Sequence, residues 1–529
     1  MRFVKVAAGA CVGVLVLAGC GSNKGGGNDQ GSGGKLVDGA TFTMALSADP
    51  GNLDPQGSAD GNLVQISAFA YDHLVNITNS GKIVSGLASK WVVDGSTITL
   101  TMHAGITCSD GSAFTAADAA ANLNYVVDPA NKSPYGSTFL PPGAKATANA
   151  DTVTVTSPKA TPFPLNGLSQ IPMVCAKGMH DRSTLASKTD GTGPYELSAA
   201  APGTQYTFTR RSGYTWGPGG VSTSTKGLPA KVVVKIVQNE TTAANLLLSG
   251  GLNAAAVVGP DSQRLQAAHL FAATTSVAFG EMWFNQATGR PTADKSVRLA
   301  ITQALDLAQL RKVLTSGNGS TPTQLADAPP AACTGDSVSA ALPQHDLDAA
   351  GKLLDSAGWV KGANGMRSKN GTPLTLHLNY LTGYGSGTQA AAELAAQQLK
   401  ALGAKVTITG QDNAALVQNV FGAGNWDIAW LPVGVHSPDQ LVPFASGPNP
   451  PSGNNFAHID DPAYNAIVAK ASTVVGTAGC SQWLQGDAAL IRDADVIPFA
   501  NSVTSVFGKG ATFDFVSGLI PTSIRMHAG

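Results

Sequence analysis

The chain has 529 residues, of which 33 are basic and 34 are acidic, so its formal net charge at pH 7 is −1. This balance argues against nucleic acid as a partner, because proteins bind phosphate backbones through basic surfaces. The length exceeds what one ordinary hydrophobic core supports, and we therefore expect two or three domains.

The amino-terminal segment has the pattern of an export signal. Arg2 and Lys5 precede an apolar run of 12 residues, Val6 to Leu17. This run is too short to cross about 30 Å of hydrocarbon, and no later apolar stretch is long enough either. A charged start followed by a short apolar run is typical of a secretory signal peptide.

The sequence "LAGC", residues 17–20, resembles the lipobox of bacterial lipoproteins. The resemblance implies cleavage before Cys20, a lipid on its thiol and anchoring to the cell membrane by several acyl chains. The alternative is an ordinary signal peptide with a chance cysteine. Residues 21–35 are rich in Gly, Asn and Ser, which predicts a flexible tether with a reach of roughly 20 Å. The expected location of the folded body is therefore extracytoplasmic.

Cysteine usage also indicates an exported protein. Cys11 leaves with the signal and Cys20 takes the lipid, so four cysteines remain in the folded body. An even number in an exported protein predicts two disulfides with three possible pairings, and buried free thiols are the alternative. The four are Cys108, Cys175, Cys333 and Cys480.

The first half of the body mixes strands and helices. Alternating apolar residues predict strands in "TITLTMHAGI" from Thr97 and in "DTVTVTSP" from Asp151. "FTAADAAANLNYVVD" predicts a helix that begins at Thr115, with Asp118 completing a capping box. "TTAANLLLSGGL" predicts a shorter helix that ends at Gly250.

The second half alternates helices with strands. "DKSVRLAITQALDLAQLRKVLTSGNG" predicts one helix with Asp294 as its N-cap and Gly317 as its end. A helix in "DLDAAGKLLDSAGW" and a strand in "PLTLHLNYL" follow. "GTQAAAELAAQQLKALGAKVTITG" predicts a helix that ends at Gly403 and then a strand, and "WDIAWLPV" predicts one more strand. This order indicates an α/β class with a parallel sheet covered by helices.

No catalytic motif is present in the sequence. It lacks G-x-S-x-G, H-E-x-x-H and a phosphate-binding loop that ends in Gly-Lys-Ser/Thr. Asp460 and Asp461 are adjacent but precede Pro462, which favours a turn over acid–base work. We therefore expect neither an enzyme nor a cofactor or metal site.

Seven stretches in order resemble the family-5 solute-binding proteins of ABC importers, the class that binds peptides and nickel. The long third stretch keeps the family's glycine and aspartate positions, and the fourth matches closely. The stretches are "LDP" (53–55), "IVSGLASKW" (83–91), "TLTMHAGITCSDGSAFTAADAAANLNYV" (99–126), "GTGPY" (191–195), "DKSVRLAITQALD" (294–306), "DAAGKLLDSAGW" (348–359) and "AAELAAQQLKALG" (391–403).

The resemblance implies an α/β, two-lobe, type II periplasmic-binding-protein-like fold, with an extra domain in the first lobe. The ligand would be enclosed between the lobes of a monomer that contacts ABC permease subunits. The first-lobe sheet domain would comprise residues 36–60, 189–276 and 496–529. The extra domain would be 61–188 and the second lobe 277–495. Disulfides within domains would leave the hinge free, which favours Cys108–Cys175 and Cys333–Cys480.

The resemblance also suggests where the ligand binds. Peptide binders of the family hold the ligand's ammonium group with an aspartate after the "W/F-D-x-A" strand. Here Gly434 or His436 takes that position, and neither is an acid. A small peptide held by its free amino terminus is therefore not expected, because a buried ammonium without a carboxylate is costly. Longer peptides held through their backbone fit, as do capped, neutral or metal-bearing ligands.

Further pocket residues are expected on both lobes. Trp430, Trp283 and Asn285 lie at a strand end and at the crossing between lobes. Tyr71 and Asp72 lie at the edge of the opposite lobe. Aromatic walls with few polar groups are typical of ligand sites, whereas packing within the core is the alternative for each residue.

The sequence thus predicts a lipid-anchored binding protein that delivers a ligand, most simply an oligopeptide, to an ABC importer. The alternative is a lipoprotein of the same fold that does not transport but senses or regulates cell-envelope assembly through a partner. A cleft with a polar and aromatic lining favours the first function, and an occluded cleft favours the second.

Cys20→Ala should release the protein from the membrane fraction, because no acyl chain remains to anchor it. Immunoblots of membranes washed with high salt measure this release. Ser22→Ala is the matched control and should remain bound. Retention of the Cys20→Ala variant in washed membranes would contradict the lipid anchor.

Overall fold

The computed structural model describes residues 34–58, 60–136, 139–258, 261–382 and 386–528. The predicted signal, Cys20 and nearly all of the predicted tether lie outside these ranges. Within the described ranges, no helix combines the length and the apolar character that crossing a membrane requires.

Twenty-two strands are present in the described part of the chain. They are β1 (Thr41–Leu46), β2 (Val75–Ile77), β3 (Ile83–Ser85), β4 (Ala88–Asp94), β5 (Thr97–Met102), β6 (Lys145–Asn149), β7 (Thr152–Thr156), β8 (Tyr195–Ala201), β9 (Gln205–Arg210), β10 (Lys231–Ile236), β11 (Ala254–Ala256), β12 (Phe271–Phe284), β13 (Gly319–Ser320), β14 (Val360–Lys361), β15 (Arg367–Lys369), β16 (Thr372–Pro373), β17 (Thr375–Leu381), β18 (Lys405–Gln411), β19 (Ile428–Trp430), β20 (Val496–Gly508), β21 (Ala511–Thr512) and β22 (Arg525–Met526).

Fourteen α-helices accompany these strands in the same ranges. They are α1 (Gly61–Ala70), α2 (Ala116–Val127), α3 (Pro164–Leu168), α4 (Ala176–His180), α5 (Glu240–Ser249), α6 (Asp261–Ala267), α7 (Lys295–Ala304), α8 (Leu307–Leu314), α9 (Leu347–Ser356), α10 (Ser386–Leu402), α11 (Asn413–Gln418), α12 (Val442–Ala445), α13 (Pro462–Ala471) and α14 (Cys480–Arg492).

Local sequence chemistry explains most of these elements. The predicted capping box of α2 is confirmed: Thr115 accepts from the Asp118 N–H while the Asp118 carboxylate accepts from the Thr115 N–H. The prediction of one helix from Asp294 to Gly317 is wrong, because the structure divides it into α7 and α8. Leu305 is extended, and Asp306 starts a new helix by accepting from the Gln309 N–H at 2.9 Å. A second N-cap inside the apolar pattern therefore ended the first helix.

One large sheet runs through both halves of the molecule. Its strand order is β18-β17-β19-β12-β20-β11-β1-β10-β9-β8, with β13 beside β20. β17 pairs in parallel with β18 and β19, which confirms the parallel sheet predicted for the second lobe. In the first lobe β1 pairs in parallel with β10 and β11. The two halves are joined by β12 and β20, which pair antiparallel from Phe271–Gly508 to Trp283–Val496.

The buried apolar residues form separate cores. One core contains the second-lobe strands, another the four-stranded sheet β4-β5-β7-β6 with α2, and a third the first-lobe sheet. Leu63, Ile66 and Phe69 of α1 pack in the first-lobe core. We therefore propose that the extra domain begins after Tyr71 and not at Gly61; the other domain boundaries stay predictions.

Both expected disulfides are present, each within one of these regions. Cys108 is bonded to Cys175 with their Cα atoms 6.2 Å apart, and both side chains lie in the extra-domain core. Cys333 is bonded to Cys480 with their Cα atoms 5.3 Å apart. This second bond ties the loop after β13 to the start of α14 in the second lobe. Neither disulfide joins residues that lie on opposite sides of the β12–β20 pair.

The extra domain also contacts the second lobe directly. Phe163 is buried in the second-lobe core, where its ring centroid lies 6.3 Å from that of Trp483. Beside it, the Gly476 N–H donates to the Pro162 carbonyl at 2.7 Å. Phe163 of the extra domain therefore packs into the second-lobe core, whose other buried residues begin at Met282.

The two ends of the described chain meet in the first lobe. Leu36 and His527 form an antiparallel bridge. The Val37 N–H donates to the Met526 carbonyl at 3.0 Å, and the Ala528 N–H donates to the Lys35 carbonyl at 2.9 Å. The point at which the predicted tether enters the body is therefore fixed to the carboxyl-terminal residues.

Phe163→Ala should lower the free energy of unfolding by about 3 kcal/mol, because it removes a buried ring and leaves a cavity between the domains. Denaturant unfolding followed by tryptophan fluorescence measures the loss. Phe163→Leu keeps most of the apolar volume and should cost about 1 kcal/mol. Equal midpoints for wild type and Phe163→Ala would show that the ring does not stabilise this contact.

Candidate functional site

The crossing of β12 and β20 is irregular at its centre. The register of the ladder shifts on both sides of Gly280. A Cβ atom at Gly280 would lie 2.7 Å from the Phe499 ring, so no larger residue fits there without movement. Bulges of this kind bend a strand and redirect its next side chain. The residue redirected here is Glu281.

Glu281 places a carboxyl group inside the molecule at this crossing. The residue is 2% exposed, and its Oε2 accepts from the Val433 N–H at 2.6 Å. Burial, with smaller contributions from the nearby carboxylates of Asp327 and Asp487, raises the pKa of Glu281 to about 8 against the opposing hydrogen bonds from Val433 and Trp283. The side chain is therefore largely protonated at neutral pH.

Asp327 and Asn501 form a hydrogen-bonded pair at the same crossing. Asn501 Nδ2 donates to Asp327 Oδ2 at 2.6 Å. Asn501 is a β20 residue that lies opposite Ala278 of β12 and Ser320 of β13. Asp327 Oδ1 and Asn501 Oδ1 are both buried and have no hydrogen-bond donor among the described residues. Burial raises the pKa of Asp327 to about 6, and hydrogen bonds from Asn501 and from the backbone N–H groups of Asp327 and Ala278 oppose this rise.

The loop that carries Asp327 is held firmly from two sides. The buried Asp487 of α14 accepts from the Leu325 N–H at 3.2 Å and from Ser337 Oγ at 3.4 Å. Burial raises the pKa of Asp487 to about 7. Gln324 Nε2 donates to two carbonyl groups of the same loop, and the Cys333–Cys480 bond fixes the loop to α14.

The same loop runs beside the segment that follows β19. The Ala328 N–H donates to the Val435 carbonyl at 3.1 Å, and the Ala332 N–H donates to the His436 carbonyl at 2.7 Å. Asp327 therefore lies next to the segment in which the sequence suggested a missing acid. Positions 434 and 436 are not acids, but two acids lie near this segment: Glu281 on β12 and Asp327 on the neighbouring loop.

The sequence of this chain matches the family described as bacterial extracellular solute-binding proteins, family 5 Middle, over residues 82–451. The chain belongs to this family. It is therefore an extracytoplasmic solute-binding protein, as its motifs predicted, and not an enzyme.

Three curated relatives support the assignment. The solute-binding protein is 26% identical over 376 residues to Protein XP55 of Streptomyces lividans, covering 66% of this chain and 64% of that one. It is 26% identical over 452 residues to the glutathione-binding protein GsiB of Pectobacterium atrosepticum, covering 82% and 81%. It is 24% identical over 476 residues to the periplasmic murein peptide-binding protein MppA of Escherichia coli, covering 84% of each.

The fold of this solute-binding protein is similar to that of MppA, whose solved structure is an unliganded open form. The TM-score is 0.75 at 19% sequence identity, and the match covers 94% of this chain and 99% of the other. The predicted α/β, type II periplasmic-binding-protein fold is thereby confirmed.

Three of the predicted site residues belong to the end of β19 and the segment that follows it. The Trp430 ring packs against Phe499 with centroids 5.0 Å apart, and its Nε1 has no partner among the described residues. Gly434 is exposed. His436 Nδ1 donates to the Ala328 carbonyl at 3.1 Å, and burial lowers the pKa of His436, so the ring is neutral at pH 7.

Trp283 and Asn285 lie in the interior of the second lobe. The Trp283 ring is fully buried and packs against Phe456 with centroids 5.0 Å apart. Asn285 Nδ2 donates to the Trp426 carbonyl at 3.0 Å. These contacts give both residues a packing role, and their contact with a ligand stays a prediction.

Tyr71 and Asp72 lie apart from the others, inside the first lobe. The Asp72 carboxylate accepts from Tyr214 Oη at 2.8 Å, Thr192 Oγ1 at 2.9 Å and Trp216 Nε1 at 3.1 Å. Tyr71 Oη accepts from the Asp190 N–H at 3.2 Å, and its ring packs in the first-lobe core. A role of either residue in ligand binding stays a prediction.

The sequence reasoning missed Glu281, Asp327 and Asn501. A signal for the first was available, because Glu281 is the one charged residue in "VAFGEMWF", an otherwise apolar strand. Ionisable groups in such positions are enriched at functional sites. Within the described ranges, no three His, Cys, Asp or Glu side chains lie close enough together to hold a metal ion.

Glu281→Gln should stabilise the protein increasingly as the pH rises. The pKa of Glu281 is raised from 4.5 to about 8 on folding, so the stability that its bound proton contributes is complete below pH 4.5 and is lost towards pH 8. Glutamine still accepts from the Val433 N–H but carries no charge. The difference in free energy of unfolding between variant and wild type should increase by about 1 kcal/mol or more from pH 5 to pH 8.

Denaturant unfolding at several pH values measures this difference. Glu393→Gln, on the exposed side of α10, is the control and should show a difference that does not change with pH. If the difference for Glu281→Gln also did not change with pH, the carboxyl group would not be buried in the folded protein.

Proposed function

We propose that this protein is the substrate-binding protein of an ABC importer, anchored to the cell membrane through a lipid on Cys20. Its ligand is an oligopeptide enclosed between the lobes where β12 and β20 cross. The protein acts as a monomer that passes this ligand to the permease subunits of the importer.

The observation that carries the proposal is the set of polar groups at the crossing. Asp327 Oδ1, Asn501 Oδ1 and Trp430 Nε1 are buried and have no partner among the described residues. Leaving such groups unsatisfied costs roughly 1–3 kcal/mol each. Two acceptors, one donor and an aromatic wall suit a ligand that has both a polar backbone and apolar groups.

Relatives of the chain support a peptide as the ligand. MppA is named for a murein peptide and GsiB for glutathione. Both ligands present amide groups, and amides supply the donors and acceptors that the crossing lacks. The sequence signal at residues 17–20 supports the lipid anchor.

Native mass spectrometry should find about one co-purified peptide per chain when the anchored protein is extracted from the membranes of its own host. Asn501→Ala should weaken binding of the recovered peptide about tenfold, because it removes a buried polar contact. Asn364→Ala, in the exposed turn between β14 and β15, is the control and should bind as wild type does. Recovery of no ligand, together with no binding of added peptides at millimolar concentration, would refute the proposed function.

A further inference from the structure

We propose that Asp327 and Asn501 form a subsite that binds a cationic nitrogen of the ligand, an ammonium or a guanidinium group. This inference rests on the proposed function and specifies its ligand. It also reverses the sequence-based expectation that a free ammonium group is not bound.

The unpartnered atoms of this pair are both acceptors. Asn501 is 7% exposed and donates its Nδ2 to Asp327 Oδ2 at 2.6 Å, so this contact leaves its own Oδ1 without a donor. Asp327 Oδ1 and Asn501 Oδ1 each lack a donor among the described residues. A ligand group that satisfies two neighbouring acceptors must carry at least two N–H or O–H donors. Ammonium and guanidinium groups meet this requirement and also carry the complementary charge.

The charge around the pair is negative. The charges of Asp327 and Asp487 raise the pKa of Glu281 on β12, and the charge of Asp327 raises the pKa of Asp487 on α14. His436, on the adjoining loop, has a lowered pKa and is neutral. With Glu281 protonated at neutral pH, Asp327 is the acid of this set that ionises most readily. A cation bound beside Asp327 would be attracted by its carboxylate, and no lysine or arginine of the described residues forms a salt bridge with that carboxylate.

Two other buried acids of the second lobe have a different environment. Arg298 donates to Asp495 at 2.7 Å, and both side chains are buried. Asp427 has Arg290 at 3.5 Å and His377 at 3.0 Å. These two aspartates have cationic partners from the protein itself, as buried charges usually require. Among the described residues, no salt bridge reaches Asp327.

Asp327→Asn tests the subsite because it removes the charge and keeps the shape of the side chain. Two matched pairs of peptides serve as probes in calorimetry. The first pair has one sequence, with a free or an acetylated amino terminus. The second pair is acetylated and differs only by lysine or norleucine at one position. Loss of a charge-assisted hydrogen bond should weaken binding by about 10- to 100-fold.

A preference for the free amino terminus that disappears in Asp327→Asn assigns the subsite to the amino terminus. A preference for lysine over norleucine that disappears in the same variant assigns it to a side chain. Asp336→Asn, an exposed residue of the same loop, is the control and should keep the wild-type preference. Circular dichroism and thermal unfolding establish that both variants are folded.

Peptides that bind with no preference in either pair would overturn the subsite while leaving the proposed function intact. Failure of every peptide to bind would refute the peptide ligand instead. In that case arginine and its neutral isostere citrulline probe the subsite directly. Tighter binding of arginine that depends on Asp327 supports the subsite, and equal or absent binding of the two overturns it.

Discussion

The antiparallel pairing of β12 with β20 is the constraint on which the rest of this structure depends. The first-lobe and second-lobe strands join the large sheet on opposite sides of this pair, so the relative position of the lobes is set by how the two strands twist and bend. The bulge at Gly280 interrupts the ladder at its centre. Because Glu281 follows the bulge and Asn501 lies on the facing strand, the same irregularity that permits bending also determines where the polar groups lie.

The acids at the crossing reduce the stability of the folded protein. A carboxyl group whose pKa rises on folding must bind a proton or lose free energy at neutral pH, and Glu281, Asp327 and Asp487 all show such a rise. Three such groups in one region are unfavourable for folding alone. Strongly perturbed pKa values of this kind cluster at functional sites, where stability is often lower than it could be. The Cys333–Cys480 bond and the hydrogen bonds of Gln324 hold the loop in place despite this unfavourable burial of acids.

Most of the fold could be predicted from the sequence because its signals are local. The capping box at Thr115, the end of α5 at Gly250 and the strand–helix–strand order after Thr375 each depend on neighbours along the chain. The break at Leu305 was missed because a helical apolar period continued through it. The site was predicted only in part: Trp430, Gly434 and His436 share one segment, whereas Asp327 and Asn501 are separated by 174 positions and meet only through tertiary structure.

The joining of the chain ends in the first lobe determines which half of the molecule a lipid on Cys20 would connect to the membrane. The predicted tether enters the body at Leu36, and the bridge to His527 places both ends of the described chain in the first-lobe sheet. The second lobe carries neither end. A fluorophore next to Ala528 would mark the first lobe, and one on the exposed Val360 would mark the second. The distance between the two labels would thus report lobe motion in a living cell envelope.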